Sequence, residues 1–180
     1  MTHSLPCNSL ELSAALAFGW QPSWCFFWHA SRPAGCFSQW WPHHPFRIDG
    51  LTYRTAEHWM MAEKARLFGD TDALDAILAA PDPGTAKKLG RCVLGFDNPL
   101  WETAREGIVL RGNLEKFRQH RELRIALVAT GSAILAEASP TDRIWGTGVP
   151  ADHPDTFIPA RWPGLNLLGF LLMKVRSSLA

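Results

Sequence analysis

Four helix-start signals follow one another between Thr55 and Pro99, and they leave that stretch little choice but a succession of short helices. Thr55 can accept a hydrogen bond from a first-turn N–H, and Glu57 follows where the helix dipole favours an anion. That helix should run to about Phe68. Asp70 caps a second helix through Ala80, which Pro81 ends. Asp82-Pro83 starts a third, closing near Gly90, since proline is tolerated where the N–H has no helical partner anyway. Asn98-Pro99 opens a longer helix with Trp101, Arg105 and Ile108 on one side. Another helix spans 122–130 with Gly131 beyond its end, and 166–179 reads as a final amphipathic helix.

The remainder carries weaker signals. Residues 46–53 alternate apolar and polar around Asp49-Gly50, the pattern of a short β-hairpin. Residues 24–45 are dense in aromatics, His and Pro and read as irregular. Residues 134–138 suit a strand or a short helix, and 139–164 a loop. Residues 1 to about 22 show no strong period. The expectation is a mainly α fold with a minor β element: a variable lead-in over 1–24 and one domain over 25–180.

A chain of 180 residues with 47% hydrophobic and 19% charged content folds around a substantial core and is not disordered. A formal net charge of +1 provides no field for unspecific grip on nucleic acid. The arginines between Arg105 and Arg124 interleave with Glu106, Glu115 and Glu122, as on a solvated helix face. Cys7, Cys25, Cys36 and Cys92 lack paired metal spacing and suit reduced thiols in the cytoplasm. Leu12 to Phe18 has no basic start before it, which argues against a signal peptide. No stretch approaches the roughly 18 apolar residues of a membrane helix.

Several constellations carry chemistry. Glu57, Met61 and Lys64 stand at i, i+4 and i+7, on one helix face. Glu57 can serve as a general acid or base beside a pocket, with Lys64 in the same cleft. The plain alternative makes Glu57 an answer to the dipole and Lys64 a surface charge. Trp101 and Arg105, one turn apart, can offer an indole to a base and a guanidinium to a phosphate, or be a core Trp and a surface Arg. Lys116 can reach a pocket or sit on a helix surface. Residues 142–148 place Asp142, Trp145, Gly146 and Gly148 in one loop. Glycine admits a ligand close to the backbone, an indole stacks, and a carboxylate binds sugar hydroxyls or offsets positive charge. The alternative is a glycine-rich turn with one core Trp. Asn166 can cap the last helix or present its amide to a ligand. His43-His44 are adjacent and would point to opposite faces, so no metal and no cofactor is expected. No phosphate loop, dinucleotide fingerprint or Gly-x-Ser-x-Gly elbow is present.

Taken in order, these segments resemble one family. They are Cys36-Phe37-Ser38-Gln39-Trp40-Trp41, Pro45-Phe46, Asp49-Gly50, Tyr53, Ala56-Glu57-His58, Lys64-Ala65 and Phe68-Gly69-Asp70. Lys88-Leu89-Gly90-Arg91, Phe96-Asp97, Trp101 and Lys116-Phe117 follow, then Thr130-Gly131 and Glu137-Ala138-Ser139-Pro140. Asp142, Trp145-Gly146 and Gly164-Leu165-Asn166-Leu167-Leu168-Gly169 complete the series. The series is similar to the NADAR (NAD- and ADP-ribose-related), or YbiA-like, family over about residues 25 to 178.

The resemblance implies a mainly α, single-domain orthogonal helical fold and an N-glycosidase. The bond it implies joins an exocyclic base nitrogen to ribose C1. The substrate it implies is ADP-ribosyl guanine of DNA or RNA, a ribosylamino-pyrimidine phosphate of riboflavin synthesis, or both. By the same resemblance the catalytic carboxylate falls on Glu57, with Lys64 on its motif, and Trp101, Asp142, Trp145 and Asn166 on pocket positions. Glu57 would then protonate the departing nitrogen or activate water, while Asp142 stays ionised beside the cationic sugar carbon. Trp101 and Trp145 would flank a base, Gly146 and Gly148 would admit a phosphate, and Lys64 could trap the ring-opened sugar as a Schiff base. The rival reading is a non-catalytic module that binds ADP-ribose or another NAD-derived nucleotide.

Overall fold

The computed structural model describes residues 5–180. Its chain divides into two compact units, one formed by Gln39–Arg124 and the other by the residues up to Ser38 together with Ile125–Ala180.

The continuous unit is the helical one. It opens on a hairpin: Phe46–Ile48 pairs antiparallel with Leu51–Tyr53, Phe46 opposite Tyr53. Asp49 and Gly50 both take positive φ (51° and 82°), the backbone that a two-residue turn of this hand requires. Helix Ala56–Leu67 follows, and the helices Thr71–Ala79, Pro83–Arg91 and Asn98–Gln119 pack around it. Numbered along the whole chain, these four are α2 to α5, and the hairpin strands are β2 and β3. The expected caps form. Asp70 Oδ1 accepts from Ala73 N at 2.9 Å, Asp82 Oδ1 from Thr85 N at 2.9 Å, and Thr55 Oγ1 from His58 N at 3.3 Å. The cap of α5 is Asp97, whose Oδ1 accepts from Leu100 N at 2.7 Å, one residue before the Asn-Pro pair.

Helix α2 is the centre of this unit, with Ala56 through Ala62 all buried. Two glycines let its neighbours close in. A Cβ on Gly112 of α5 would stand 2.1 Å from Trp59 Cδ1, and one on Gly90 of α4 would stand 2.1 Å from Met61 Sδ. The Trp59 indole lies against α5 and donates from Nε1 to Ile108 O at 2.7 Å.

The other unit is built on two parallel strands, β1 (Trp24–Phe27) and β4 (Ile134–Glu137), with Phe27 opposite Glu137. Helix α7 (Leu167–Leu179) packs on β4, and α1 (Ser9–Ala17) packs on the short 3₁₀ turn Pro159–Arg161. Helix α6 (Arg121–Val128) carries the chain between the units.

Three sequence expectations need correction here. Residues 24–27 form a strand where irregular chain was expected, because a parallel strand finds its partner only across a long crossover and leaves no local hairpin signal. The lead-in holds α1, whose cap Asn8 accepts from Glu11 N at 2.9 Å while Glu11 Oε2 accepts from Cys7 N at 2.7 Å. That reciprocal pair closely follows the capping-box pattern. Helix α7 is not a one-faced amphipathic helix: Leu168 through Met173 are buried without interruption, as are Val175 and Arg176. No helix among the described residues is long and apolar enough to cross a membrane.

Candidate active site

Glu57, Lys64, Trp101 and Arg105 fall in the helical unit, whereas Asp142, Trp145, Gly146, Gly148 and Asn166 fall in the other.

Glu57 is 2% exposed, so it is no solvated answer to the helix dipole. A carboxyl group so buried has lost most of its water, which penalises its charged form. Its own N–H donates to Gln39 O at 3.0 Å, and Gln39 Oε1 in turn accepts from Asn113 Nδ2 at 3.2 Å. The residues after it are clamped on both sides. His58 Nδ1 meets Thr55 Oγ1 at 2.8 Å and Nε2 meets Ala80 O at 3.2 Å. One neutral tautomer satisfies everything: Nε2–H donates to the carbonyl, and Nδ1 accepts from the threonine hydroxyl. Burial lowers the His58 pKa, in keeping with a neutral ring. The start of α2 is thereby held rigid around Glu57.

Lys64 is half-buried, and its Nζ donates to Gly90 O at 2.7 Å. The ammonium stands 4.1 Å from the centre of the Phe96 ring and 5.9 Å from Trp101. Burial pulls its pKa down, and the Arg91 charge adds to the fall. Of the two sequence alternatives for Lys64, the surface charge is therefore wrong: this is a partly desolvated amine in an aromatic corner. Trp101 is 9% exposed, and together with Lys64 and Phe96 it forms that corner. Seven residues along α2 place the Glu57 and Lys64 backbones about 10 Å apart in rise. Side chains on a helix lean toward its N-terminus, so the Lys64 chain leans along α2 toward Glu57's end.

Arg105 also departs from a surface reading, being largely covered, with Nη1 3.8 Å from Glu102 Oε1. Its buried Nε has no hydrogen-bond partner among the described residues, which leaves the guanidinium a donor to spend on an anion. Lys116, which the sequence left between pocket and helix surface, is 1% exposed. Only the tertiary packing of α5 shows that; helical spacing does not distinguish it from Lys87 or Lys88.

In the second unit, residues 142–148 form a tightly stitched turn. Asp142 Oδ1 accepts from Ile144 N at 3.0 Å and from Trp145 N at 2.8 Å, so this carboxylate organises the turn's own backbone. Thr147 N donates to Glu137 O at 2.8 Å, and Gly146 O accepts from Asn166 N at 2.9 Å. Trp145 is 9% exposed. The glycines are required by the turn itself. A Cβ on Gly146 would lie 2.9 Å from Glu137 O, and one on Gly148, at φ +77°, would lie 2.6 Å from Pro163 Cγ.

Asn166 takes neither of its two expected roles as first choice. It sits in left-handed backbone (φ 52°), caps no N–H of α7, and turns its amide onto β4. Oδ1 accepts from Glu137 N at 2.9 Å and Nδ2 donates to Leu135 O at 3.1 Å. A side chain on Gly169 would collide with that amide, its Cβ 2.6 Å from Asn166 Nδ2. Among the described residues no group of three or more His, Cys, Asp or Glu side chains is placed to hold a metal ion.

Comparison with known proteins agrees with this architecture. The NADAR domain profile matches residues 26–180. An N-glycosidase of Acanthamoeba polyphaga mimivirus is 40% identical over 144 residues, covering 78% of this chain and 85% of that protein. An N-glycosidase of Nostoc punctiforme is 34% identical, covering 86% and 91%. The NMR structure of YbiA from Escherichia coli superposes with a TM-score of 0.73 at 32% identity, covering 89% of this chain and 86% of that one. The chain belongs to the NADAR family of N-glycosidases.

Proposed function

We propose that this N-glycosidase hydrolyses the bond between an exocyclic base nitrogen and ribose C1, with Glu57 as its acid–base residue. The substrates are ADP-ribosyl guanine of nucleic acid, ribosylamino-pyrimidine phosphates, or both. The observation that carries the reading is a carboxylate 2% exposed at the clamped start of α2. Burial disfavours the ionised form, and a carboxyl group that carries a proton can deliver it to a departing amine. In the direct route Glu57 protonates the base nitrogen, the C1–N bond breaks, and water adds at C1. The net change is one water consumed, with a free base amine and a free sugar hydroxyl formed.

The environment of Lys64 favours a covalent variant. Opening of the ribose ring turns the aminal into an imine between C1 and the base nitrogen. The neutral Lys64 amine adds to C1, the base amine leaves with the proton from Glu57, and a lysine imine remains. Water then adds to that imine, returning Lys64 and releasing the sugar. The lowered Lys64 pKa raises the fraction of neutral amine available for this step. Trp101 would supply a stacking face and Arg105, one turn further along α5, an anion donor, and the family resemblance implies substrate-binding positions at Asp142, Trp145 and Asn166.

Offering ADP-ribosyl-guanine oligonucleotide and the ribosylamino-pyrimidine phosphate side by side, and measuring released sugar, identifies the substrate class. Glu57→Gln should lose at least about two decades in rate. Near-normal turnover in that variant removes Glu57 from the chemistry. Ligand binding by a native protein that forms no product would instead make this a binding module.

A further inference from the structure

The second unit holds an open cavity of about 380 Å³ lined by Phe26, Phe27, Trp28, His29, Arg32, Pro33, Ala138, Pro150 and Ala151. Its place in the fold is informative. β1 and β4 are parallel, and Ala138 N donates to Phe27 O at 2.8 Å where both strands end. Trp28 and His29 leave the end of β1, and Ala138 leaves the end of β4. The crevice beyond the carboxyl ends of parallel strands is where open α/β sheets hold their ligands.

The walls are aromatic and fixed by further rings. Phe26 stacks on Trp24 at 5.6 Å with 7° between planes, and meets the edge of Phe157 at 5.3 Å. Phe27 is buried and meets Phe37 edge-on at 5.9 Å. Trp28 lies 3.8 Å from the His29 ring. At the rim, the backbone of Arg32 is pinned in a tight turn: its N–H donates to His29 O at 3.1 Å, and its carbonyl accepts from Gly35 N at 2.9 Å. A Cβ on Gly35 would stand 2.2 Å from Ala30 O, so this turn cannot loosen without losing its glycine. The Arg32 side chain is exposed and forms no ion pair among the described residues. The lining contains no carboxylate.

Flat apolar walls with one free guanidinium and an imidazole at the mouth suit a planar aromatic ring that carries an anionic group. The volume lies at the lower end of the range of about 300–1,000 Å³ for small-molecule pockets, enough for one ring system and a single anion. We propose that this cavity binds a nucleoside monophosphate moiety, its base against Phe26 and Trp28 and its phosphate at Arg32. Nothing in the bond-cleaving step of the proposed function requires this cavity; that function only suggests nucleotides as the probes.

The test is calorimetric titration of the full native chain with AMP, with adenosine and ribose 5-phosphate as comparators lacking the anion and the ring. AMP should bind at least about tenfold more tightly than either comparator, because a guanidinium–phosphate contact and a stacked base each contribute about a decade. Arg32→Glu should weaken AMP at least tenfold and leave adenosine unchanged. Ala151→Trp, which fills the mouth without removing a lining group, should weaken both AMP and adenosine. Absence of AMP binding, or AMP affinity unchanged in both variants, overturns the proposal. Its fate is separable from that of the glycosidase: AMP binding without turnover keeps the pocket and removes the reaction, and turnover without AMP binding does the reverse.

Discussion

Gly112→Ala and Gly107→Ala make the same chemical change in the same helix, and the structure assigns them opposite signs. Both lie in α5, where replacing glycine by alanine is worth about 1 kcal/mol in helix propensity. A Cβ on Gly107 meets nothing within 4 Å, so Gly107→Ala should stabilise by about 0.5–1 kcal/mol. At Gly112 the Cβ would lie 2.1 Å from Trp59 Cδ1, 2.5 Å from Nε1 and 2.9 Å from Cγ. An indole cannot bend out of the way, so it must move as a whole and give up its 2.7 Å bond to Ile108 O. Overpacking costs about 1–3 kcal/mol and a stranded N–H a similar amount, so the net loss after the propensity gain is about 1–5 kcal/mol. Urea denaturation of both variants against the native chain reads this directly as a shift in midpoint at constant slope. Because Trp59 stands two residues after Glu57, Gly112→Ala should also slow turnover, whereas Gly107→Ala should not. A Gly112→Ala protein as stable as Gly107→Ala would show that the α2–α5 contact is not as tight as described.

Two further expectations concern pH. The His58 pKa is lowered in the fold from its ordinary value of 6.5, so its stabilising contribution is complete above 6.5 and drains away as pH falls below that value through the folded pKa. Thermal melts of the native chain should therefore show a loss of stability on acidification below 6.5 that is diminished in His58→Gln; equal losses in both would exclude His58 as a source. If Lys64 acts as a nucleophile, the rate should rise with pH through an apparent pKa below the ordinary lysine value of 10.5. Borohydride during turnover should then trap the sugar on Lys64, and full activity in Lys64→Met with no adduct would leave only the direct route.

What was legible in the sequence was chiefly what is decided locally. The caps at Thr55, Asp70 and Asp82 and the Asp49-Gly50 turn each depend on two to four neighbouring residues, and each forms as read. The capping box from Asn8 to Glu11 is equally local, but the helix behind it has no apolar stripe to mark it. Strand β1 was not legible, since its partner β4 lies beyond the whole helical unit in sequence. In the site, the residue type and position of Glu57 pointed to acid–base chemistry. The aromatic corner around Lys64 could not be foreseen, because Phe96 reaches it from the segment after α4. The burial of Lys116 and the turning of Asn166 onto β4 are likewise products of packing, invisible to spacing along one helix.

The glycines of residues 142–148 show how a motif can be right about a loop and yet silent about its reason. Glycine there was attractive as a way to bring backbone to a phosphate, but Gly148 is needed before any ligand arrives. It holds φ at +77°, and a Cβ would overlap Pro163 Cγ at 2.6 Å and crowd Gly164 N at 3.2 Å. Left-handed backbone at a residue with a Cβ costs about 1–2 kcal/mol, and the overlap about 1–3 kcal/mol more. Gly148→Ala should therefore lower the melting temperature by several degrees whether or not substrate is present, with the Michaelis constant unchanged at temperatures where the variant stays folded. A variant of native stability whose Michaelis constant rises would restore the ligand-binding reason. Until such a result, those two glycines argue for the shape of the turn, and the case for catalysis stands on the buried carboxylate and the desolvated amine of α2.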